Sequence, residues 1–147
     1  MIGMNWIENY LKAGNPATSQ KQLAVLARSD HHKIRLRVAE NSNTPVEVLE
    51  LLSKDKEADV RLAVAMNRAT PSEIVNKLAY DEDPTVRHGL AEDPDTPIEI
   101  LKMLSCDNNP YVSCRAEKTL VALGMNETSV KDFPKLTWAG QLQQRLV

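Results

Sequence analysis

Residues 44–67, TPVEVLELLSKDKEADVRLAVAMN, and residues 70–93, TPSEIVNKLAYDEDPTVRHGLAED, are two copies of one pattern that lie 26 residues apart. The Thr-Pro pair at the start, the apolar residues inside and the Val-Arg pair near the end all keep this spacing. A fixed period of this length is the signature of repeat proteins, in which each copy buries its apolar face against its neighbours. The stretch therefore predicts stacked structural repeats.

Four copies of the pattern cover residues 15–118. Their apolar positions form four columns: Leu23, Leu49, Val75 and Leu101; Leu26, Leu52, Leu78 and Leu104; Ile34, Val60, Val86 and Val112; and Val38, Val64, Leu90 and Ala116. Within a copy the first two columns lie three positions apart and the last two lie four positions apart, each pair as on one face of an α-helix. We expect two short helices in each copy. We expect no β-sheet, because no segment alternates apolar and polar residues.

Local signals predict where the helices begin and end. Thr70-Pro71-Ser72-Glu73 has the pattern of a capping box, with Thr accepting from a backbone amide at the start of the first helix. Asp83-Pro84 and Asn109-Pro110 predict the start of the second helix. Asn41 and Asn67 are expected to end it, because this side chain tolerates left-handed or turn geometry.

The repeated unit resembles the leucine-rich-repeat variant, a helical repeat of bacterial proteins. Residues 70–91 carry this resemblance well, and residues 107–120 are similar to HEAT-like repeats. The resemblance implies an all-α fold, a right-handed α-solenoid of four helix pairs with helical caps. Some members hold an iron–sulfur cluster on cysteines that precede the repeats. Because the first Cys here is Cys106, we expect no such cofactor in this chain.

We expect a single solenoid domain over residues 1–147. Residues 1–14 are predicted to form an N-terminal capping helix, residues 15–118 the four repeats, and residues 119–147 a C-terminal cap or tail. Residues 138–146 have the apolar spacing of a last helix. The sequence leaves open whether this tail docks on the solenoid or stays mobile.

Composition and charge narrow the class of protein. Charged residues make up 26%, and the net charge is −2, so the chain as a whole lacks a strongly basic nucleic-acid footprint, although a local basic patch remains open. No apolar run approaches the roughly 20 residues of a membrane span, and no signal peptide is expected. Cys106 and Cys114 are predicted to be free and mostly buried thiols. We expect a cytoplasmic protein.

One column of arginines, Arg35, Arg61 and Arg87, is the most regular polar feature, and we call it the Arg column. These side chains either line a groove that contacts carboxylates or phosphates, or they form a structural ladder. Asp55 and Asp81 stand six residues before two of the arginines, with Ser at that position in the first copy. We expect the ladder, because the Asp and Arg columns occur together.

No catalytic or metal-binding constellation is apparent. His31 and His32 are adjacent in a turn, His88 is more than two repeats away, and no Cys or carboxylate completes the spacing of a metal site. There is no Gly-rich phosphate loop, nucleophile elbow or metalloprotease motif. We therefore expect no enzymatic activity, no metal and no cofactor. Resemblance to HEAT-like lyase subunits would imply an accessory enzyme that acts on a cofactor-bearing partner, but these residues supply no chemistry for it.

The predicted function is protein–protein interaction, as a module or scaffold that uses the face of the stacked second helices. The candidate partner-binding residues are the second-helix positions that do not face inward: Lys33, Arg37, Asp59, Met66, Thr85, His88, Tyr111, Arg115 and Lys118. The alternative is nucleic-acid binding through a basic groove of the solenoid. We disfavour it because Asp59, Glu92 and Glu117 interrupt the basic positions. No membrane partner is expected.

Overall fold

The computed structural model describes residues 2–125, with side chains from Asn5 onward, and every regular element in this range is an α-helix. After α1 (Ile2–Gly14), the first helices of the pairs are α2 (Gln20–Leu26), α4 (Val46–Leu52), α6 (Ser72–Leu78) and α8 (Ile98–Leu104). The second helices are α3 (His32–Glu40), α5 (Ala58–Met66), α7 (Pro84–Glu92) and α9 (Pro110–Ala122). The predicted all-α fold is confirmed. Residues 126–147, with the predicted last helix, lie outside the described residues.

The helices recur with the period of the sequence pattern. First helices begin at residues 20, 46, 72 and 98, and second helices begin at residues 32, 58, 84 and 110. Successive starts are therefore 26 residues apart. Helix α1 ends at Gly14, which is 26 residues before the end of α3 at Glu40. In the repeat pattern α1 therefore takes the position of a second helix.

The chain contains two compact units, Met1–Leu78 and Ala79–Val147. In the first unit α3 packs against both α1 and α5. The short helix α2 contacts α1 and α3, α4 contacts α3 and α5, and α6 contacts α5. In the second unit α7 packs against α9, and α8 contacts both. Within each unit this packing is compatible with a helical repeat.

The predicted apolar columns form the core of each unit. All their members are buried except Val75, which is half-buried, while its neighbour Ile74 is buried. The prediction of the core is confirmed apart from that one position. The first helices span seven residues each. Helices this short are marginal alone, so the buried columns must stabilise them.

The capping role predicted for the Thr-Pro pairs is wrong. Thr44 Oγ1 donates to the carbonyl oxygen of Val38, and Thr70 Oγ1 donates to that of Val64, both at 2.6 Å. Pro45 is the N-cap of α4 and makes no side-chain capping bond. The last carbonyls of a helix lack the usual donor four residues later. Those of Val38 and Val64 accept from the amides of Asn41 and Asn67, and the Thr hydroxyls add a second donor to each.

Side-chain caps do form at other helix starts. Ser19 Oγ accepts from the amide of Gln22, and the Gln22 side chain accepts from the amide of Ser19, which is a capping box on α2. Asp83 caps α7 and Asn109 caps α9, each followed by Pro at the first helical position. The predicted starts of these two helices are therefore confirmed.

Asn41 and Asn67, which lie 26 residues apart and which we call the Asn column, connect successive copies of the pattern. Asn41 Nδ2 donates to the carbonyl oxygens of Ala13 and Asn15, at 2.8 and 2.9 Å. Asn67 Nδ2 donates to those of Ala39 and Asn41, at 2.7 and 3.0 Å. In both residues Oδ1 accepts from the amide two positions later. The backbone at Asn41 and Asn67 is extended, with φ of −73° and −77°, so neither residue adopts the left-handed geometry considered from the sequence.

We expect Asn41→Asp to lower the free energy of unfolding by about 1–3 kcal/mol. The substitution keeps the Oδ1 acceptor, but it removes the donor to two carbonyl oxygens and places a carboxylate beside them. Urea denaturation followed by circular dichroism measures the loss. Asn108→Asp, at an exposed position, is the control and should stay within about 0.5 kcal/mol of the native chain. Equal stability of Asn41→Asp and the native chain would contradict the role given to this amide.

Candidate functional site

The Arg column is buried inside the units. Arg35, Arg61 and Arg87 are 8%, 8% and 6% exposed. Arg35 donates from Nε to Asp55 Oδ2 at 2.6 Å and from Nη2 to Asp55 Oδ1 at 2.9 Å. Arg87 makes the same two-point contact with Asp107, at 2.7 and 3.1 Å. Guanidinium and carboxylate match each other in this paired geometry, which fixes both side chains.

Backbone carbonyls bind the remaining edge of each guanidinium. Nη1 of Arg35, Arg61 and Arg87 donates to the carbonyl oxygen six residues earlier in the chain, at 2.7 to 2.8 Å. The carboxylates that bind Arg35 and Arg87 come instead from 20 residues later. The ladder predicted from the sequence comprised Asp55 and Asp81, which stand six residues before Arg61 and Arg87, with pairing either within or between repeats. Asp107 was not among the predicted ladder residues, because the copy that contains Asp107 has Ser113 in the Arg column.

The ion pair between Arg35 and Asp55 shifts the pKa of both groups. Burial by itself would raise the pKa of Asp55, but the hydrogen bond from Arg35, the amide of Glu57 and the Arg35 charge outweigh burial. The pKa of Asp55 therefore lies below its ordinary value. The hydrogen bond to Asp55 in turn raises the pKa of Arg35 above its ordinary value, against the effect of desolvation. Both shifts favour the charged forms, so the ion pair persists at neutral pH.

The lowered pKa of Asp55 predicts a pH-dependent stability. The unfolded chain binds this proton more readily, so the stabilisation is complete above the unfolded pKa of about 4. It is lost as the pH falls through the lower folded pKa. We expect the free energy of unfolding to fall more steeply between neutral and acidic pH in the native chain than in Asp55→Asn. Parallel pH profiles, measured by urea denaturation, would contradict this assignment.

Four candidate binding residues lie on α3 and α5 in the first unit. Lys33 and Asp59 are exposed, and Met66 is 37% exposed. Arg37 is half-buried, and its Nη1 donates to Glu40 at 3.0 Å. The Arg37 guanidinium also lies 5.3 Å from the centre of the Tyr10 ring. Arg37 is thus bound within its own unit, whereas the other three side chains reach solvent.

An open groove of about 430 Å³ lies between α3 and α5, and we call it the α3–α5 groove. Its lining includes four apolar and two acidic side chains: Leu36, Leu62, Ala63, Met66, Glu40 and Asp59. Of these, only Asp59 and Met66 were candidates from the sequence. Leu36 and Leu62 occupy the same column as His88. Leucines at two such positions, on a helix face with many polar residues, are the sequence signal that could have indicated an apolar groove.

The other five candidates lie on one packed helix pair of the second unit. Thr85 and His88 are on α7, and Tyr111, Arg115 and Lys118 are on α9. Tyr111 is 78% exposed. Arg115 Nη2 lies 3.0 Å from Glu92 Oε1 in a surface ion pair. This pair of helices therefore presents a polar surface with one prominent aromatic ring.

The two thiols differ from the expectation. Cys106 is half-buried and Cys114 is exposed, so the prediction of mostly buried thiols is wrong for Cys114. The physical reason is its position: Cys114 occupies the α9 counterpart of Leu36, Leu62 and His88, a column that is not fully covered in α3, α5 or α7.

Residues 2–125 contain no group of three His, Cys, Asp or Glu side chains placed to hold a metal ion. His31 instead makes an edge contact with the Trp6 ring, with ring centres 6.2 Å apart. Within the same part of the chain, no helix has the length and apolar character needed to span a bilayer. Comparison of the chain with protein families, characterised proteins and solved structures finds no match.

Proposed function

We propose that the chain is a non-catalytic protein-interaction module that binds its partner through the face of its stacked second helices. The observation that carries the proposal is the α3–α5 groove, an open surface with partly exposed Leu36, Leu62 and Met66. Apolar side chains that lie together on a folded surface, rather than singly, are typical of binding sites. Repeated helices are suited to this role because equivalent positions combine into an extended surface.

The proposal includes a right-handed α-solenoid of four 26-residue repeats of the leucine-rich-repeat-variant type. Two observations support it: helix starts recur every 26 residues, and the second helices pack against one another within each unit. The Asn column supports it further, because Asn41 and Asn67 each bind carbonyls 26 and 28 residues earlier. Such hydrogen bonds give successive copies one common register.

Burial of the Arg column favours a protein partner over a nucleic acid. At 6–8% exposure, Arg35, Arg61 and Arg87 offer little surface to a phosphate backbone. The surface cations Arg37 and Arg115 each face a Glu at 3.0 Å. Nucleic-acid affinity depends on neutralising many phosphates with Lys and Arg. These pairings therefore interrupt the positive charge along the second helices.

Two matched charge reversals test the proposed face. Asp59 and Glu47 are exposed acids in the first turns of α5 and α4, and only Asp59 lines the groove. The full chain, Asp59→Lys and Glu47→Lys are used for affinity capture from the source cells with quantitative mass spectrometry. We expect proteins bound by the native chain to fall about tenfold with Asp59→Lys and to be retained with Glu47→Lys.

Capture that changes equally in both variants, or in neither, would contradict the proposed face. Captured material that disappears after nuclease treatment would support the nucleic-acid alternative. Circular dichroism of both variants checks that each is folded. Arg37→Glu is a poorer probe, because it would break the contacts of Arg37 with Glu40 and Tyr10.

A further inference from the structure

We infer that the α3–α5 groove accepts a protein segment in which an apolar side chain stands next to Lys or Arg. The inference rests on the proposed function and adds the chemistry of the partner. It follows from two properties of the lining, which contains both apolar and acidic side chains.

The apolar part of the groove offers a place for one partner side chain. Leu36 and Leu62 are half-buried, Ala63 is buried, and Met66 remains partly exposed. The thioether of Met adapts to partners of different shape. Covering these side chains removes apolar surface from water, which favours association. A wholly polar segment would lack an apolar side chain to cover that surface, so this gain would be lost.

The charge of the lining selects the residues beside the apolar anchor. Glu40 and Asp59 contribute two carboxylates, and the described residues that line the groove include no Lys or Arg. The exposed Asp59 contributes most of this negative charge, because Glu40, which is 45% exposed, is already paired with Arg37 at 3.0 Å. Complementary charge sets specificity and association rate, whereas like charges placed together are repelled. An acidic segment is therefore disfavoured here, and a basic one is favoured.

Selection of displayed random short peptides on the full-length protein tests this partner chemistry. We expect enriched sequences to combine an apolar residue with an adjacent Lys or Arg. The most enriched peptide is then synthesised, and its Kd is measured by fluorescence anisotropy. Asp59→Lys should weaken binding about tenfold, Met66→Glu should weaken it similarly, and Glu47→Lys should leave it nearly unchanged.

The outcomes separate this inference from the proposed function. Acidic or uncharged peptides that lose affinity with Asp59→Lys and Met66→Glu would overturn the partner chemistry and leave the binding face standing. Basic-apolar peptides that bind both variants as tightly as the native chain would overturn the inference and the proposed face together. Absence of any enriched sequence would overturn the inference, and affinity capture with the charge reversals would then decide the proposed function alone.

The native chain and Asp59→Lys also test two other possible occupants of the groove, this chain's own residues 126–147 and a second copy of the chain. Binding of a synthetic peptide of residues 126–147 that is weakened by Asp59→Lys would assign the groove to this chain's own segment. Self-association of the native protein in sedimentation experiments that is lost in Asp59→Lys would assign the groove to a second copy. Either result would overturn the inference of a basic-apolar segment from a separate partner.

Discussion

Asp107→Ala is expected to lower the free energy of unfolding by about 3–5 kcal/mol. The Asp107 side chain is 4% exposed and binds the buried guanidinium of Arg87 at two points. Its removal leaves the buried Arg87 charge with backbone carbonyl acceptors but without the carboxylate that balances it. It also removes the acceptor of the Asn109 amide. Urea denaturation followed by circular dichroism measures the loss.

Glu92→Ala is the matched control for this prediction. Glu92 pairs with Arg115 at 3.0 Å on the surface, where both side chains are well exposed. Exposed ion pairs contribute about 0.2–1 kcal/mol, so the control should be nearly as stable as the native chain. Adding Arg87→Met to Asp107→Ala should recover part of the lost stability, because it removes the unpaired charge. Equal losses in Asp107→Ala and Glu92→Ala would show that burial of the ion pair is unimportant.

Leu52→Ala is expected to lower the free energy of unfolding by about 2–5 kcal/mol. Leu52 is 1% exposed in the core of the first unit, and its truncation leaves a cavity among packed side chains. Its neighbour Leu51, on the same helix, is 44% exposed. Leu51→Ala should therefore stay within about 0.5 kcal/mol of the native chain. A larger loss for Leu51→Ala, measured by the same denaturation, would contradict the assignment of core positions.

Helix positions and the core were predictable because their signals are local and repeated. The apolar columns recur at helical spacing, and Asp83-Pro84 and Asn109-Pro110 start α7 and α9 where the Pro residues indicate. Val75 is the exception, since Ile74 beside it is equally apolar and faces the core instead. Periodicity predicts a face of a helix, but it distinguishes poorly between two adjacent apolar residues.

The choice of hydrogen-bond partner was not predictable from spacing. Thr-Pro-x-Glu fits a capping box, yet Thr44 and Thr70 donate to carbonyls of the preceding helix. That carbonyl comes within reach only after the chain turns between the two helices. Arg35 likewise binds Asp55 from the next copy, so its partner depends on how α3 packs against α5 and on the turn before α5.

The candidate site was predictable only as a general surface. The repeat pattern placed Lys33, Asp59 and Met66 on the second-helix face, and those side chains do reach solvent. The groove itself lies between α3 and α5, where Leu36 and Leu62 are half-buried. Sequence spacing places these side chains on a helix face but does not show how much of each the packed helices leave uncovered.

A photo-reactive amino acid incorporated at position 59 of the full chain, in the source cells, tests the proposed binding face most directly. The control carries the same amino acid at position 47, which is also exposed in the first turn of a short helix in the first unit. After irradiation, we expect a discrete protein adduct from position 59 and none from position 47. Adducts from position 47 alone, or the same adducts from both positions, would contradict binding through the second-helix face.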